Sequence, residues 1–218
     1  MILNFLITAG PTREYLDPVR YMSNASSGRM GYALAAAAKR RGHKVVLISG
    51  PVETKVPAGV RAVKVVSARE MFESFKKNFS KADIVIGAAA VSDYRPQVYS
   101  AKKLKRASRS VTVRFVPNPD IMRYAGSNKG KKLLVGFALE TQDLLKSARA
   151  KLDKKKFDMI IANYPEVIGK NKAAVWILDK NSHIVSIPET EKYTIAKRII
   201  DESLEIWKSG QTRKKLPG

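Results

Sequence analysis

The sequence predicts an α/β fold of Rossmann-like type: a mostly parallel sheet with helices on both faces, plus a basic flap or arm and a C-terminal hairpin. Three observations carry that prediction. Apolar runs of strand length recur at 2–8, 44–49, 60–66, 82–90, 133–139 and 158–163. Between several of them lie stretches with helical periodicity and recognisable caps. A long polar loop, rich in glycine and serine, joins the first run to the first helical stretch, an arrangement that presents backbone N–H groups to a phosphate.

In chain order, Ile2 to Ile7 reads as a buried strand, and the loop from Thr8 carries Arg13, Arg20, Asn24, Ser26 and Ser27 before Gly28 and Gly31. Loops this long inside a compact unit are either functional or disordered, and the strong flanking elements favour a binding loop. The first helix is expected over 29–41, with Met30, Leu34, Ala37, Ala38 and Arg41 on related faces and Gly42 as its stop. The second starts at the capping box Ser67-Ala-Arg-Glu70 and runs through Met71, Phe72 and Phe75. A third spans 143–155. Strands alternating with helices imply βαβ units and right-handed crossovers.

Two segments interrupt the alternation. From Tyr94 to Pro117 a basic loop, KKLKRASRS, precedes one alternating strand, VTVRFVP. From 173 to 188, two alternating runs flank Lys180-Asn181-Ser182, a hairpin signal. The last helix is expected over 190–208, ending at Gly210, with 211–218 as a frayed tail. The expectation is one domain over 1–210 with a flap and arm at about 94–117, and no internal repeat is visible.

The chain of 218 residues carries 41 basic against 19 acidic residues, a formal charge of +22. That excess calls for anionic partners, either nucleic acid or polyphosphate substrates, unless it only keeps a lysine-rich surface soluble. With no cysteine, disulfides, thiolate metal sites and a catalytic thiol are excluded. The two histidines, His43 and His183, lie far apart in sequence, which argues against zinc. No run approaches the roughly 18 apolar residues of a membrane span, and the N-terminus shows no signal-peptide architecture. A soluble cytoplasmic protein is expected.

Ligands of doubly wound sheets bind beyond the carboxyl ends of the strands. That rule collects Gly10 and Asn24, Ala89, Ala90 and Asp93, Asn118 to Ile121, Phe137, and Asn163 at one edge. A nicotinamide-dependent dehydrogenase fits the architecture but not the motif. Gly10 is followed by Pro11 and a long loop instead of G-x-G-x-x-G, and Ser49-Gly50-Pro51 stands where an acidic ribose anchor belongs. Tyr193 and Lys197 have Tyr-x-x-x-Lys spacing but sit in the terminal helix. The basic clusters, Lys102, Lys103, Lys105 and Arg106; Lys129, Lys131 and Lys132; and Lys151, Lys154, Lys155 and Lys156, lack accompanying aromatic residues or a recognition helix. A nucleic-acid-binding protein on a Rossmann-like scaffold is therefore the alternative reading. At Ser26-Ser27-Gly28-Arg29-Met30-Gly31 a plain helix cap competes with a phosphate site, and the hydroxyls, glycines and helix dipole favour phosphate.

Taken together, Thr8-Ala-Gly-Pro-Thr-Arg13, Asp17-Pro-Val-Arg20, Ser23-Asn24, Ser26-Ser-Gly28 and Gly31 resemble the synthetase half of the coenzyme A biosynthesis flavoprotein family. So do Ala88-Ala-Ala-Val-Ser-Asp93, Lys103-Leu-Lys105, Asn118-Pro-Asp-Ile121 and Gly136-Phe137. The motifs stand in the order and spacing of phosphopantothenate–cysteine ligase across nearly all of residues 2–208.

The resemblance implies a two-step ligation. The carboxylate of 4′-phosphopantothenate attacks the α-phosphate of a nucleoside triphosphate, and the cysteine amine then displaces the nucleotide from the acyl anhydride. It implies that Asn24 orients the carboxylate and that Lys103 acts on the triphosphate from the basic flap. Gly10, Arg20, Ser26, Gly28, Gly31, Ala89, Ala90, Phe137 and Asn163 would hold phosphopantothenate, with Arg20 supplied by the neighbouring subunit of a homodimer. Asp93, Lys103, Asn118, Pro119, Asp120, Ile121, Phe137, Lys151 and Lys155 would hold the nucleotide. The prokaryotic look of the motifs implies CTP, with Mg2+, no flavin and no zinc; no metal ligands are assigned. The family's usual partner domain, a flavin-dependent decarboxylase with a catalytic cysteine, is not in this sequence. The chain thus reads as a free-standing ligase or one half of a larger protein, with a separate decarboxylase as a possible partner. Two departures stand out: the stretch Tyr164 to Asn171 lacks the family's common loop, and Arg106 replaces a frequent lysine.

Overall fold

The computed structural model describes residues 1–106, 110–167 and 169–212. Its elements, in order, are β1 (Asn4–Ala9), β2 (Arg13–Tyr15), β3 (Tyr21–Ser23), α1 (Arg29–Arg40), β4 (Lys44–Ser49), β5 (Arg61–Lys64), α2 (Ala68–Phe79), β6 (Ile84–Gly87), β7 (Tyr94–Pro96), β8 (Phe115–Pro117) and α3 (Ile121–Ser127). There follow β9 (Leu133–Leu139), α4 (Leu144–Lys154), β10 (Met159–Asn163), a 3-10 turn at Pro165–Val167, β11 (Lys172–Asp179), β12 (Ile184–Glu191) and α5 (Lys192–Thr212).

The main sheet runs in the order β12-β11-β10-β9-β6-β1-β4-β5. From β10 to β5 its strands pair in parallel, and β11 and β12 add an antiparallel edge. Phe5, Ile7, Leu47, Ile84, Ile86, Val135, Met159 and Ile161 face α1 and α5. Their chain neighbours Leu6, Ile48, Val85, Leu134, Ile160 and Ala162 face α2, α3 and α4. Both faces are covered, which is why these strands appear in the sequence as continuous apolar runs. Each fully buried side chain of this size contributes about 1.5–3 kcal/mol, so the central strands form the rigid part of the molecule.

Helix ends follow local chemistry. Ser67 accepts the Glu70 N–H at 3.2 Å, while Glu70 reaches back to the Val66 N–H at 3.0 Å. After α1, Gly42 (φ +83°) lets its own N–H reach Lys39 O at 2.9 Å and the His43 N–H reach Ala38 O at 3.3 Å, a Schellman end.

The structure departs from expectation in four places. The binding loop after β1 contains the ribbon β2–β3, sewn to α2 where Ala68 N–H donates to buried Glu14 at 2.9 Å and Arg13 N–H to Val66 O at 2.9 Å. The strand expected over 111–117 is confined to β8, which among the described residues pairs with β7 alone, and Val111 stays exposed. Helix α3 was not foreseen; Asp120 caps it by accepting the Arg123 N–H at 3.0 Å. Helix α5 passes through Gly210 to Thr212. The rest of the expected tail, from 213, and flap residues 107–109 lie outside the described residues.

Two glycine and histidine contacts carry tests. A Cβ on Gly50 would lie 1.7 Å from the Pro11 carbonyl oxygen, so Gly50→Ala must displace the segment that follows β1. Denaturant unfolding should show a loss of about 1–3 kcal/mol; an unchanged midpoint would mean that the segment yields freely. Buried His43 accepts the Leu3 N–H at 3.3 Å, and burial, then the amino terminus and Arg41, hold its pKa below 6.5. The unfolded chain therefore binds the proton more readily, and the stability present above pH 6.5 is lost as pH falls through the folded-state value. His43→Asn, which keeps an acceptor, should flatten that part of a stability–pH profile.

Candidate active site

The carboxyl ends of β1, β6, β9 and β10 open into a cavity of about 510 Å³. It lies at the switch point, where β1 has β4 on one side and β6 on the other. Beyond the sheet the segments leaving β1 and β6 remain paired: Ala88 N–H donates to Thr8 O (3.2 Å), Ala90 N–H to Gly10 O (2.9 Å) and Thr12 N–H to Ala90 O (3.4 Å). Ser92 N–H completes the zip on the Thr12 hydroxyl at 3.0 Å.

One wall is the Ser26–Met30 turn at the start of α1. Gly28 takes the N-cap position with a left-handed backbone (φ +70°), and no side chain caps the helix. Its N-terminal N–H groups thus keep the positive end of the dipole available to an anion. Only glycine suits this spot, because a Cβ would stand 2.9 Å from Val52 as well as requiring the left-handed region. Asn24 lines the same wall and donates its Nδ2 protons to Ala90 O (3.3 Å) and Val91 O (3.1 Å). Its remaining polar atom is the acceptor oxygen. A substrate carboxylate that is to receive a hydrogen bond from Asn24 must displace one of these carbonyls.

The opposite wall is charged. Lys151 projects from α4 into the cavity beside Asp93, and burial, then Lys155, lower its pKa against the pull of Glu140, Asp93 and Asp120. Asp120 accepts Lys155 Nζ at 3.0 Å; burial would raise its pKa, but the Arg123 N–H and Lys155 together lower it. Asn118 ties this group to the floor, its N–H donating to Asp93 O (2.7 Å) and its Nδ2 to Ser92 O (2.9 Å).

Of the residues expected from sequence, Asn24, Ser26, Gly28, Ala89, Ala90, Asp93, Phe137, Lys151 and Asn163 line the cavity. Asn118, Asp120 and Lys155 join it through the contacts above, with Pro119 between them and Ile121 buried in the core. Gly10 and Gly31 do not line it. They allow close approach: a Cβ on Gly31 would meet the Ala9 Cβ at 2.4 Å. Exposed Lys103 lies outside the lining, and Arg20 donates to Asp17 (3.1 Å) and to Leu104 O (2.8 Å) within its own chain. Tyr193 and Lys197 form a surface cluster with Arg40 on α1 and α5, away from the cavity.

Sequence reasoning missed Arg29 and Lys192 as lining residues. Arg29 donates to Gly169 O (3.0 Å) and Asn171 Oδ1 (2.6 Å), holding the atypical loop, while burial and then Arg29 lower the pKa of Lys192. Arg29 stood within the quoted loop motif, but nothing in the sequence linked it to residues so distant. A larger cavity, about 700 Å³, lies at the other edge of the sheet, where Lys129 (2.7 Å) and Lys180 (3.0 Å) pair with Asp158. Among the described residues no three His, Asp or Glu side chains converge as a metal-holding group, and no helix is long and apolar enough to cross a membrane.

Residues 2–206 match the family described as DNA/pantothenate metabolism flavoprotein C-terminal domain. The chain belongs to this family. The coenzyme A biosynthesis bifunctional protein CoaBC of Borreliella burgdorferi is 40% identical over 198 residues, 89% of this chain and 50% of that protein. Its counterpart in Escherichia coli is 46% identical over 165 residues, 74% of this chain and 41% of that protein. This chain thus spans about half the length of the curated relatives it matches. A crystal structure of the C-terminal domain of a CoaBC protein superposes with a TM-score of 0.82 at 35% identity, covering 94% of this chain and 95% of that one. A Cab2 mutant in complex with phosphopantothenate-cysteine shares the fold, with a TM-score of 0.80 at 18% identity over 98% and 89% of the two chains.

The family and the fold read from the motifs are borne out. The cofactor expectation, Mg2+ with CTP and neither flavin nor zinc, is corrected: the family is that of a flavoprotein, of which this chain corresponds to the C-terminal domain. Flavin belongs to the family protein as a whole, and the residues read here are only about half of such a protein.

Lys151 supplies a test. Its desolvated charge opposes folding, so Lys151→Met should leave the melting temperature of the ligand-free chain unchanged or raise it, by about 2–4 °C for each kcal/mol released. Binding of inorganic pyrophosphate should weaken by about tenfold or more in calorimetry. A lower melting temperature with unaltered binding would contradict this assignment.

Proposed function

We propose that this chain joins 4′-phosphopantothenate to L-cysteine, giving 4′-phosphopantothenoylcysteine, through an acyl-nucleotide intermediate. One observation carries the reading: a single cavity sets an uncapped, glycine-rich helix start and Asn24 opposite a desolvated lysine flanked by Asp93, Asp120 and Lys155. Two polyanions meet in such a site, each at its own cationic wall. Support comes also from the relatives named for coenzyme A biosynthesis and from the ligand in the Cab2 complex.

In the first step a carboxylate oxygen of phosphopantothenate attacks the α-phosphorus, and the bond to pyrophosphate breaks. In the second, the cysteine amine attacks the acyl carbon, the nucleoside monophosphate leaves with the bonding electrons, and a proton is released as the amide forms. The helix start with Ser26 and Gly28 holds the terminal phosphate, and Ala89 and Ala90 offer backbone groups to the pantothenate end. Asn24 orients the carboxylate without a full positive charge, which leaves its nucleophilicity intact. Lys151 and Lys155 hold the triphosphate, and Lys103 neutralises charge that develops on it. The nucleotide is CTP in this reading, so the intermediate is an acyl-cytidylate.

Residues 1–210 act as one catalytic domain, a cytoplasmic homodimer in which Arg20 serves the neighbouring site. A decarboxylase, fused or separate, is the partner that consumes the product, as the double length and bifunctional naming of the relatives suggest.

The test is pyrophosphate release with 4′-phosphopantothenate and cysteine, with CTP compared against ATP and each substrate omitted in turn. Release should require phosphopantothenate and prefer CTP. Lys103→Gln and Asn24→Asp should each lower kcat by about 100-fold or more with the fold intact. Full activity in both variants would refute the residue assignment, and no release with either nucleotide would refute the reaction.

A further inference from the structure

Asp17 sits in the turn between β2 and β3, yet its side chain is fully enclosed, 0% exposed. Its Oδ1 accepts the N–H groups of Val19 and Arg20, both at 2.8 Å, which shapes the turn. Its Oδ2 accepts Arg20 Nη1 and, from far along the chain, the Leu104 N–H, each at 3.1 Å. Arg20 Nη1 also donates to the Leu104 carbonyl at 2.8 Å. Both backbone polar groups of Leu104, the residue after Lys103, are therefore gripped by one side-chain pair. The Ser100 N–H adds a third tie, to Leu16 O at 2.9 Å.

The gripped segment has little else to hold it. Lys102, Lys103, Lys105 and Arg106 are exposed and carry like charge, Leu104 is half-buried, and within the segment the Ser100 hydroxyl donates to Lys102 O at 2.6 Å. A carboxylate enclosed among N–H groups is an acceptor that must stay satisfied, so undocking Leu104 leaves part of it unpaired.

We propose that Asp17, together with Arg20, is a positioning residue that docks the 100–104 segment and so sets the place from which Lys103 acts. The docking is independent of any ligand; its kinetic consequence rests on the ligase reading. Asp17→Asn separates the two duties of the side chain. The amide oxygen can still serve the two turn N–H groups, but the NH2 then faces the Leu104 N–H and the Arg20 guanidinium, donor against donor.

The experiment is limited trypsin digestion of the full chain, with cleavage after Lys102, Lys103, Lys105 and Arg106 followed by mass spectrometry beside the melting temperature. Asp17→Asn should speed cleavage there by about tenfold or more while the melting temperature holds. Unchanged cleavage would overturn the docking. In pyrophosphate release the same variant should lose kcat and keep KM for phosphopantothenate, a split that a merely destabilised protein would not show. Faster cleavage with unchanged kcat would overturn the link to Lys103, whereas faster cleavage with no activity even in the parent would refute the ligase reading alone. Should Asp17→Asn not fold, Arg20→Ala, judged by cleavage only, decides the docking in the same way.

Discussion

Pairing between the segments that leave β1 and β6 is the constraint on which the site depends. Those strands flank the switch point of the sheet, where successive loops usually part and leave a crevice. Here Gly10, Thr12, Ala88, Ala90 and Ser92 prolong the parallel contact beyond the last residues of the sheet. The backbone of that extension forms the cavity floor, and Asn24 rests on its Ala90 and Val91 carbonyls. Such an approach demands small residues. Alanines occupy 88–90, and at Gly50 a Cβ would run into the Pro11 carbonyl at 1.7 Å. The buried Thr8 and Thr12 hydroxyls accept N–H groups from the β6 side, which keeps a polar floor compatible with an apolar core beneath it.

The large positive charge acquires meaning only through its distribution. Lys132 satisfies the carbonyls of Ser80 and Ala82 at 3.1 and 2.9 Å, and Lys129 and Lys180 share Asp158. These cations serve the fold. Lys151 and Lys192, in contrast, are desolvated beside other cations, Lys155 and Arg29 respectively, and their ammonium pKa values are lowered accordingly. Ammonium groups perturbed in this way cluster at functional clefts more often than elsewhere.

The sheet and four of its helices were legible because burial on two faces and explicit caps leave strong local signals. The Ser67 to Glu70 box and the Gly42 stop fell where the residue types said. Helix α3 escaped notice because it is 7 residues long and its cap, Asp120, stood inside a motif read for binding. The ribbon β2–β3 escaped because its 3-residue strands show no periodicity, and its register is fixed from outside, by Glu14 capping α2. Within the site, Gly31 carried a phosphate expectation from its motif, whereas the space around it shows helix packing against Ala9. Lys192 and Arg29 were out of reach for a different reason. Their meeting depends on how α5 returns across the sheet beside α1, a tertiary fact with no trace in either local sequence.

The cavity thus has two parts of unequal firmness. Its floor continues the central strands, where each enclosed side chain adds about 1.5–3 kcal/mol. Its rim at Gly169 is held by the Arg29 side chain, and the 100–104 segment, outside the lining, is held by Asp17 and Arg20 on Leu104. Bonds of that kind contribute on the order of 1 kcal/mol net, so the rim opens locally long before the floor does. A firm floor beneath a looser rim lets the entrance adjust while the backbone that supports Asn24 stays in register.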